Sequence, residues 1–358
     1  MNLSPMQVEA FDKIMKWFKD PKQKRFVLAG YAGTGKSTLA RHLADVIGAG
    51  NIYYAAYTGK AVNVLREKGC QNVNTIHGYT YELSHSDHNQ KPVFVRVMNG
   101  ILKHAPLVIL DEYSMLPRKI VEDLEASCGK ILYLGDPFQL PPVNGDCPLN
   151  PDFFLTEIHR QALDSPIIRY ATMVREGKSF GGFVDEGSFV YTHSKNIPSE
   201  TFFEVEQIIV GTNKTRHKTN DWFREKIYGE DKTLYPIAGE KMICLLNNHE
   251  LGIFNGMIEK SSGAWDIKKD SFKMHFGALQ NLKVWDGDIK GKENYVFSRD
   301  NRLERFGYAY AITAHKSQGS EFKSVLIKNE PTGSTEELRR RWMYTAVTRA
   351  QEKCILIA

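Results

Sequence analysis

Short apolar runs alternate with helical patterns along the first half of the chain. Phe26–Ala29 is an apolar run, and the segment Ser37–Ile47 after it carries its apolar residues on one helical face. Three further runs are strand-like in the same way: Asn51–Ala56, Leu107–Leu110 and Ile131–Leu134. Continuous apolar runs separated by amphipathic helices are typical of parallel strands covered on both faces. The pattern predicts an α/β fold with a parallel sheet.

The second half of the chain continues this pattern. Gln207–Val210 is strand-like and leads into a helix with Trp222 and Phe223 on its apolar face, and Cys354–Ala358 is a last strand-like run. Strict alternation occurs in the first half, at Val93, Val95 and Val97 beside a polar turn. Such alternation predicts a β-hairpin, at about residues 80–100, that protrudes from the first domain.

Length and composition limit the class of protein. The 358 residues are enough for about two domains, each with its own core. The chain is 42% hydrophobic and 25% charged, with a mean hydropathy of −0.38. No apolar run approaches the ~18 residues of a membrane span, and Met1–Pro5 does not resemble a secretion signal. We therefore expect a cytoplasmic protein without membrane contact.

Cysteine content and net charge add two weaker constraints. The five cysteines are far apart and form no C-x-x-C pair, so we expect reduced packing residues and neither disulfides nor a zinc site. The formal net charge is +5, with a sequence pI near 8.7. A mildly basic protein is compatible with a polyanionic partner, although charge alone does not identify one.

Gly30–Ser37 is the strongest local motif in the sequence. It fits the phosphate-binding pattern G-x-x-x-x-G-K-[ST] and lies between a predicted strand and a predicted helix. Free backbone N–H groups and the positive end of a helix dipole favour a polyphosphate there. Lys36 would reach the terminal phosphates, and the Ser37 hydroxyl would hold Mg²⁺. The residues expected at the nucleotide are Gly33, Thr34, Gly35, Lys36, Ser37 and Thr38.

Polar side chains follow two further predicted strands. Asp111 and Glu112 come directly after Leu107–Leu110, at the strand end where doubly wound folds bind ligands. Asp111 would hold Mg²⁺ through water, and Glu112 would orient and deprotonate an attacking water. Gln139 lies on a proline-stiffened turn after the next strand. It is interpreted either as a sensor of the γ-phosphate or as part of a rigid surface turn.

Three other polar positions each allow two interpretations. Gln7 begins an amphipathic helix and would either pair with adenine or remain a solvated helix residue. Tyr57–Ala61 and Asn74–Tyr79 are polar turns after strand-like segments. Their hydroxyls, backbone N–H groups and cations would either contact a phosphodiester or cap the helices that follow.

In this order, the motifs resemble those of superfamily 1 helicases, in the RecD/Dda-like 5′-to-3′ branch. The segments that carry the resemblance in the first half are Gly30–Ser37, Tyr57–Ala61, Thr75–His77, Asp111–Glu112 and Gly135–Pro142. Those in the second half are Leu155–Gln161, Ala311–Phe322 and Tyr344–Ala350. The resemblance implies that Arg160 and Arg349 are arginine fingers and that Gly319 and Glu321 lie at the nucleotide.

The resemblance also implies the domain organisation. We expect two tandem RecA-like motor domains with parallel sheets. The first would span residues 1–151, with the hairpin insertion at about 80–100. The second would span residues 152–252 and 306–358. Residues 253–305, which are rich in short alternating runs and turn signals, would form a small SH3-like β-barrel inserted into the second domain.

The function implied is that of an ATP-dependent DNA helicase, with ATP and Mg²⁺ between the domains and movement 5′-to-3′ along single-stranded DNA. The strand would contact Thr58, Gly59, Lys60, Thr75 and His77 on one side and Thr313, His315 and Lys316 on the other. Expected partners are single-stranded DNA, junctions of single- and double-stranded DNA, and replication or recombination proteins, with the chain acting as a monomer in a bacterial or phage-infected cytoplasm. The alternatives are an RNA-directed helicase and a nucleic-acid-stimulated ATPase that remodels or loads protein partners.

Overall fold

The first half of the chain folds around a six-stranded sheet. The computed structural model describes residues 3–86, 92–142, 145–158, 164–248, 251, 253–291 and 303–358. The first sheet is entirely parallel, with the spatial order β3-β2-β6-β7-β1-β8. Its strands are β1 (Arg25–Gly30), β2 (Ile52–Ala56), β3 (Val73–Thr75), β6 (Leu107–Leu110), β7 (Ile131–Gly135) and β8 (Phe153–Leu155).

Helices cover both faces of this sheet. They are α1 (Pro5–Lys19), α2 (Lys36–Ile47), α3 (Gly59–Glu67), α4 (Ile76–Thr80) and α5 (Arg118–Ser127). Every residue of β6 and β7 is buried, and separate apolar clusters lie on the two faces of the sheet. The continuous apolar runs thus correspond to strands buried on both sides, and the predicted α/β class with a parallel sheet is confirmed.

The second half folds around another six-stranded sheet, with the order β17-β11-β18-β19-β10-β9. Only the edge strand β9 is antiparallel to its neighbour. The strands are β9 (Val184–Asp185), β10 (Phe189–Thr192), β11 (Gln207–Val210), β17 (Ala311–Thr313), β18 (Phe322–Lys328) and β19 (Ala350–Ile357). The helices are α6 (Pro166–Arg175), α7 (Thr201–Glu204), α8 (Asn213–Tyr228), α9 (Ala314–Ser317) and α10 (Glu336–Val347).

Two smaller units are attached to these sheets. An antiparallel pair, β4 (Tyr81–Ser86) and β5 (Pro92–Arg96), lies in the range where the hairpin was predicted. A closed barrel is formed by β12 (Ala238–Cys244), β13 (Ile258–Ser262), β14 (Ser271–Phe276), β15 (Leu279–Trp285) and β16 (Glu304–Tyr308). None of the helices in the described ranges is long and apolar enough to cross a membrane.

The barrel extends beyond the predicted range of residues 253–305 on both sides. The reason is visible in β12, whose residues alternate between two cores. Met242 and Cys244 face the interior of the barrel, whereas Ile243 packs into the core of the second sheet. Because one strand serves both units, no change in the hydrophobic pattern marks where the barrel begins.

Candidate functional site

The phosphate loop connects β1 to α2 with two residues in left-handed conformations. Gly33 and Gly35 have φ angles of 79° and 75°, which glycine adopts without strain. At Gly30 a Cβ atom would lie 2.6 Å from Thr34 Oγ1 and 2.9 Å from the Leu155 side chain. Glycine at these positions therefore allows the chain to turn sharply into the N-terminus of α2, whose first turn contains Ser37 and Thr38.

Two polar side chains support this loop. Lys36 Nζ donates hydrogen bonds to the carbonyl oxygens of Gly30 (2.7 Å) and Tyr31 (2.9 Å), so it lies across the loop. Gln7 is buried, and its Nε2 donates to Thr34 O at 3.2 Å while its Oε1 accepts from Ser4 N at 3.0 Å. Gln7 is therefore not the solvated helix residue that one interpretation of the sequence suggested. Its pairing with adenine stays a prediction.

Asp111 and Glu112 follow β6 at the carboxyl edge of the first sheet. Glu112 has a φ angle of 59°, and its backbone N–H donates to Asp111 Oδ1 at 2.8 Å. Burial raises the pKa of both carboxyl groups; the Lys36 ammonium opposes this at Asp111, and the Arg349 guanidinium opposes it at Glu112. A non-glycine residue in this strained conformation, carrying a desolvated carboxylate, is typical of a catalytic site.

Arg349 reaches this site from the second half of the chain. It follows α10, is 4% exposed, and its Nη1 lies 3.7 Å from Glu112 Oε1. Its Nε donates to Thr345 O at 3.1 Å and its Nη1 to Ser320 O at 3.2 Å, which fixes the direction of the guanidinium. The structure thus brings Arg349 to the carboxylates of the first half, as a finger residue requires. Arg160 lies outside the described residues.

Two buried oxygen atoms at this site have no hydrogen-bond partner among the residues that the structure describes. They are Glu112 Oε2 and Gln139 Oε1. Gln139 is 6% exposed, so it is not part of an exposed surface turn. Its neighbour Leu140 contacts the second half of the chain, because Leu140 N donates to Thr345 Oγ1 and Leu140 O accepts from Gln318 Nε2, both at 2.9 Å. Buried polar atoms without partners are uncommon, and they are compatible with a site that takes up a polar ligand or water.

Tyr344 is a residue of this site that our sequence reasoning missed. Its hydroxyl donates to Asp136 Oδ2 at 2.5 Å and accepts from the Ala32 N–H of the phosphate loop at 3.0 Å. A second contact joins the two halves at the phosphate loop: the Arg175 guanidinium is 3.3 Å from the centroid of the Tyr31 ring. A signal was available for Tyr344, since a tyrosine on a buried helix needs a partner for its hydroxyl. The identity of that partner depends on how the two halves pack.

A cavity of about 260 Å³ opens beside the carboxylates, between the two halves of the chain. Asn255, Gln318 and three prolines contribute to its lining. Four of the predicted nucleic-acid residues also line it: Thr58, Lys60, His315 and Lys316. Lys60 Nζ lies 4.3 Å from the centroid of the Phe322 ring, and Lys316 Nζ donates to Asn255 Oδ1 at 2.6 Å. Burial lowers the pKa of each lysine to about 8, and it also lowers the pKa of His315.

The other predicted nucleic-acid residues are not in the lining of this cavity. Thr75 and Thr313 cap helices, since their Oγ1 atoms accept from Gly78 N at 2.9 Å and Lys316 N at 3.4 Å. The His77 ring packs 5.3 Å from the ring of Tyr81. At Gly59 a Cβ atom would lie 1.8 Å from the Phe254 side chain, so glycine is required there by close packing.

Gly319 and Glu321 lie in the segment between α9 and β18. Gly319 has a φ angle of 69°, and a Cβ atom there would be 3.3 Å from Thr58 Oγ1, so the two halves meet closely at this point. Glu321 Oε2 accepts from Gln351 Nε2 at 2.8 Å, and the Glu321 charge contributes to the raised pKa of Asp111. Glu321 is therefore near the carboxylates, but its side chain is hydrogen-bonded to Gln351 of the second half.

The two α/β units, with a phosphate loop in the first of them, define a P-loop nucleotide-binding fold. Residues 2–193 match the family model described as an AAA domain, and residues 308–357 match a UvrD-like helicase C-terminal domain. The chain belongs to the AAA-domain family. The predicted resemblance to the RecD branch of superfamily 1 is confirmed by these matches and by the relatives below.

Two similar curated proteins are helicases. The ATP-dependent RecD2 DNA helicase of Deinococcus radiodurans is 27% identical over 367 residues, which cover 91% of this chain and 46% of the relative. The ATP-dependent DNA helicase Pif1 of Campylobacter jejuni is 24% identical, covering 90% of this chain and 86% of the relative. An uncharacterised protein of Methanocaldococcus jannaschii is 24% identical and is covered over 37% of its length. The chain thus spans less than half of the RecD2 and Methanocaldococcus proteins.

Solved structures of Pif1 helicases share the fold. In a study of forked double-stranded DNA unwinding by two coordinating Pif1 helicases, the match has a TM-score of 0.60 at 18% identity, covering 100% of this chain and 92% of that one. Bacteroides Pif1 in complex with ADP-AlF3 and single-stranded DNA matches with a TM-score of 0.53 at 19% identity, covering 100% and 93%. At these identities the likeness establishes the fold alone.

Proposed function

We propose that this chain is an ATP-dependent DNA helicase or translocase that moves 5′-to-3′ along single-stranded DNA. The observation that carries the proposal is the contact between Glu112 and Arg349 across the two halves of the chain. A guanidinium from one domain facing a catalytic carboxylate of the other makes hydrolysis depend on domain closure. The cavity beside it is lined by cations from both halves, so the same closure would act on a bound strand.

ATP and Mg²⁺ fit the residues that are present. The loop offers N–H groups at the start of α2, Lys36 and Ser37 lie at its end, and Asp111 supplies an oxygen ligand of the kind that Mg²⁺ prefers. Mg²⁺ would neutralise charge on the phosphates when bound. Glu112 would accept a proton from water, for which its unpartnered Oε2 is available. Gln139 would sense the terminal phosphate, and Arg160 would be a second finger.

The domain organisation belongs to the same proposal. Motor domain 1 would span residues 1–151, and motor domain 2 would span residues 152–252 and 306–358. Residues 253–305 would be the inserted part of the barrel, with β12 and β16 shared between the barrel and the second motor domain.

The proposed track is a DNA strand held by its phosphates. Thr58, Lys60, His315 and Lys316 offer a hydroxyl, cations and an imidazole to the cavity, and none of these reads a base specifically. The names of the RecD2 and Pif1 relatives identify them as DNA helicases, and Pif1 structures are described with single-stranded and forked DNA. We extend this substrate class to the present chain, with junctions as the sites of unwinding.

An ATPase assay coupled to strand separation tests the proposal. Hydrolysis is measured alone, with single-stranded DNA and with single-stranded RNA, and unwinding is measured on duplexes with a 5′ or a 3′ tail. We expect stimulation by DNA and unwinding only of the 5′-tailed duplex. Stimulation by neither nucleic acid would refute a motor function. Stimulation without strand separation would instead support an ATPase that remodels protein partners. A preference for RNA would indicate an RNA-directed helicase.

A further inference from the structure

A second cavity, larger than the one described above, is lined by Arg216, a cation close to Lys316. It has a volume of about 590 Å³ and lies between α8, the loop that follows α8, and the barrel residues after β15. We call it the α8 pocket. Arg216 and Lys218 of α8 line it, as do Asp288 and Lys290 of the barrel and Tyr308 of β16. None of the predicted nucleotide or nucleic-acid residues lines this pocket.

Most charged groups of the α8 pocket are neutralised by ion pairs. Three pairs involve cations of the lining: Lys232 with Asp221 at 2.6 Å, Arg224 with Glu240 at 2.7 Å, and Lys290 with Asp286. The lining residue Asp288 is paired in turn with Arg305 at 2.5 Å. Two cations remain, because no carboxylate in the described part of the chain lies within 4.0 Å of Arg216 or Lys218.

Arg216 is the more unusual of these two cations. Its side chain is only 9% exposed, and its Nε atom is buried without a hydrogen-bond partner among the described residues. One of its terminal nitrogens lies 2.9 Å from the ring nitrogen Nε2 of His217, which carries no negative charge. Burial lowers the pKa of Arg216, and the more distant Asp288 opposes this only in part. A buried guanidinium without a counter-ion is costly, and an anion in the pocket would offset that cost.

The α8 pocket also lies close to the row of expected phosphate contacts. Helix α8 begins at the carboxyl end of β11, which pairs with β17, the strand that leads to Lys316. After burial itself, the charge of Arg216 is the largest cause of the lowered pKa of Lys316, so the two cations are close. Lys316 lines the smaller cavity and Arg216 lines the larger one. Arg216 and Lys316 are therefore close to each other while they line different cavities.

We propose that the α8 pocket is a second site for the phosphodiester backbone, which holds the part of a DNA strand that extends past Lys316. This inference rests on the proposed function and adds a contact outside the motif segments named in the sequence analysis. The phosphate groups would lie against Lys218 and the guanidinium of Arg216. A strand long enough to reach the pocket should bind more tightly than one that fills only the smaller cavity.

The test compares short and long strands by fluorescence anisotropy. Labelled oligothymidylates of increasing length are titrated with the wild-type chain, with Lys218→Ala and with Lys218→Glu. Lys218 is exposed, so neither change should affect folding. The matched control is Lys195→Ala, an exposed lysine next to β10 towards the opposite edge of the second sheet. The affinity is measured at several salt concentrations, because each phosphate contact to a single strand contributes about 0.7 to the salt slope.

We expect Lys218→Ala to reduce the salt slope on long oligonucleotides by about 0.7 and to leave the short ones unchanged. Lys218→Glu should weaken long-strand binding further, and Lys195→Ala should resemble the wild type. Equal losses on short and long strands, no loss on either, or the same loss in the control would overturn the inference. Competition by inorganic phosphate without any length dependence would assign the pocket to a small anion and would also overturn it. If the wild type binds no single strand, the proposed function itself fails.

Discussion

The two sheets of this protein can be compared strand by strand. In each sheet the first two strands in spatial order lead to a threonine that caps a helix. The edge strands β3 and β17 have Thr75 and Thr313 as their last residues. In the second strands, Thr58 and Thr212 lie two residues beyond the ends of β2 and β11. These capped helix starts therefore occur twice, in equivalent places, although Thr212 is not among the residues expected to contact the strand.

The sheets differ at their third and fifth strands. In the first sheet, β6 leads to the carboxylates Asp111 and Glu112, and β1 leads to the phosphate loop. The corresponding strands of the second sheet lead to Asn329 and to a short 3₁₀ helix that begins at Ser194. The second sheet contributes Arg349 and Tyr344 instead. We infer that two similar domains grip the strand, while a single chemical site between them sets when each releases it.

Arg349→Ala should have the largest effect on the chemical site between the two domains. Removal of the guanidinium should reduce turnover by about 10³–10⁵, because a finger neutralises charge that develops only in the transition state. Nucleotide affinity should stay within about tenfold of the wild type, which a binding assay with labelled nucleotide measures alongside single-turnover hydrolysis. The matched control is Arg341→Ala on α10, the helix that precedes Arg349, where Arg341 pairs with Glu337. A loss of nucleotide binding that accounts for the whole effect would contradict the finger role.

Tyr344→Phe removes only the hydroxyl that joins the two halves at the phosphate loop. Asp136 then loses a buried hydrogen-bond donor, which should lower the free energy of unfolding by about 1.5–3 kcal/mol. The Ala32 N–H also loses its acceptor, so hydrogen exchange at that amide should become faster. Tyr170→Phe is the control, since its hydroxyl bonds to Glu186 within the second half. Unchanged exchange at Ala32 would argue against a link through this hydroxyl.

Raising the pH should weaken strand binding through two lysines, one from each half. Burial lowers the pKa of Lys60 and Lys316 to about 8 in the free protein, and a bound phosphate would favour the charged form. The affinity should therefore be fully present below pH 8 and fall as the pH rises above it, by up to about tenfold per lysine and pH unit. Lys60→Arg should reduce this dependence, since arginine stays charged. A flat affinity between pH 7 and 9 would contradict phosphate contact by these lysines.

The parts of the fold that could be predicted are those with local causes. Strands β6 and β7 are buried on both faces, so their sequences are continuously apolar and easy to recognise. The start of the barrel could not be predicted, because β12 faces two cores with alternate residues. The same distinction holds at the site. The phosphate loop and Asp111 were predictable from neighbouring residues, whereas the partners of Tyr344 lie 312 and 208 residues away along the chain.

The smallest predicted effect tests whether Thr212 repeats the role of Thr58. Thr58 and Thr212 both accept a hydrogen bond from the backbone N–H three residues later, at 3.3 Å and 3.0 Å. Replacement of either by alanine should cost about 1 kcal/mol of stability through the lost cap. If both hydroxyls also contact phosphates, each change should in addition weaken single-strand binding a few-fold.

Two further variants separate the cap from the contact. Thr→Asp at either position keeps a good cap but places a negative charge beside the strand, so stability should be retained while binding is lost. Thr335→Ala removes the cap of α10, where Thr335 Oγ1 accepts from Leu338 N at 3.2 Å, and should affect stability alone. The contrary outcome is that Thr212→Asp binds DNA as well as the wild type while Thr58→Asp does not. In that case both domains have the helix cap, but only Thr58 contacts the strand. The second domain would then hold the strand through α9 and Lys316.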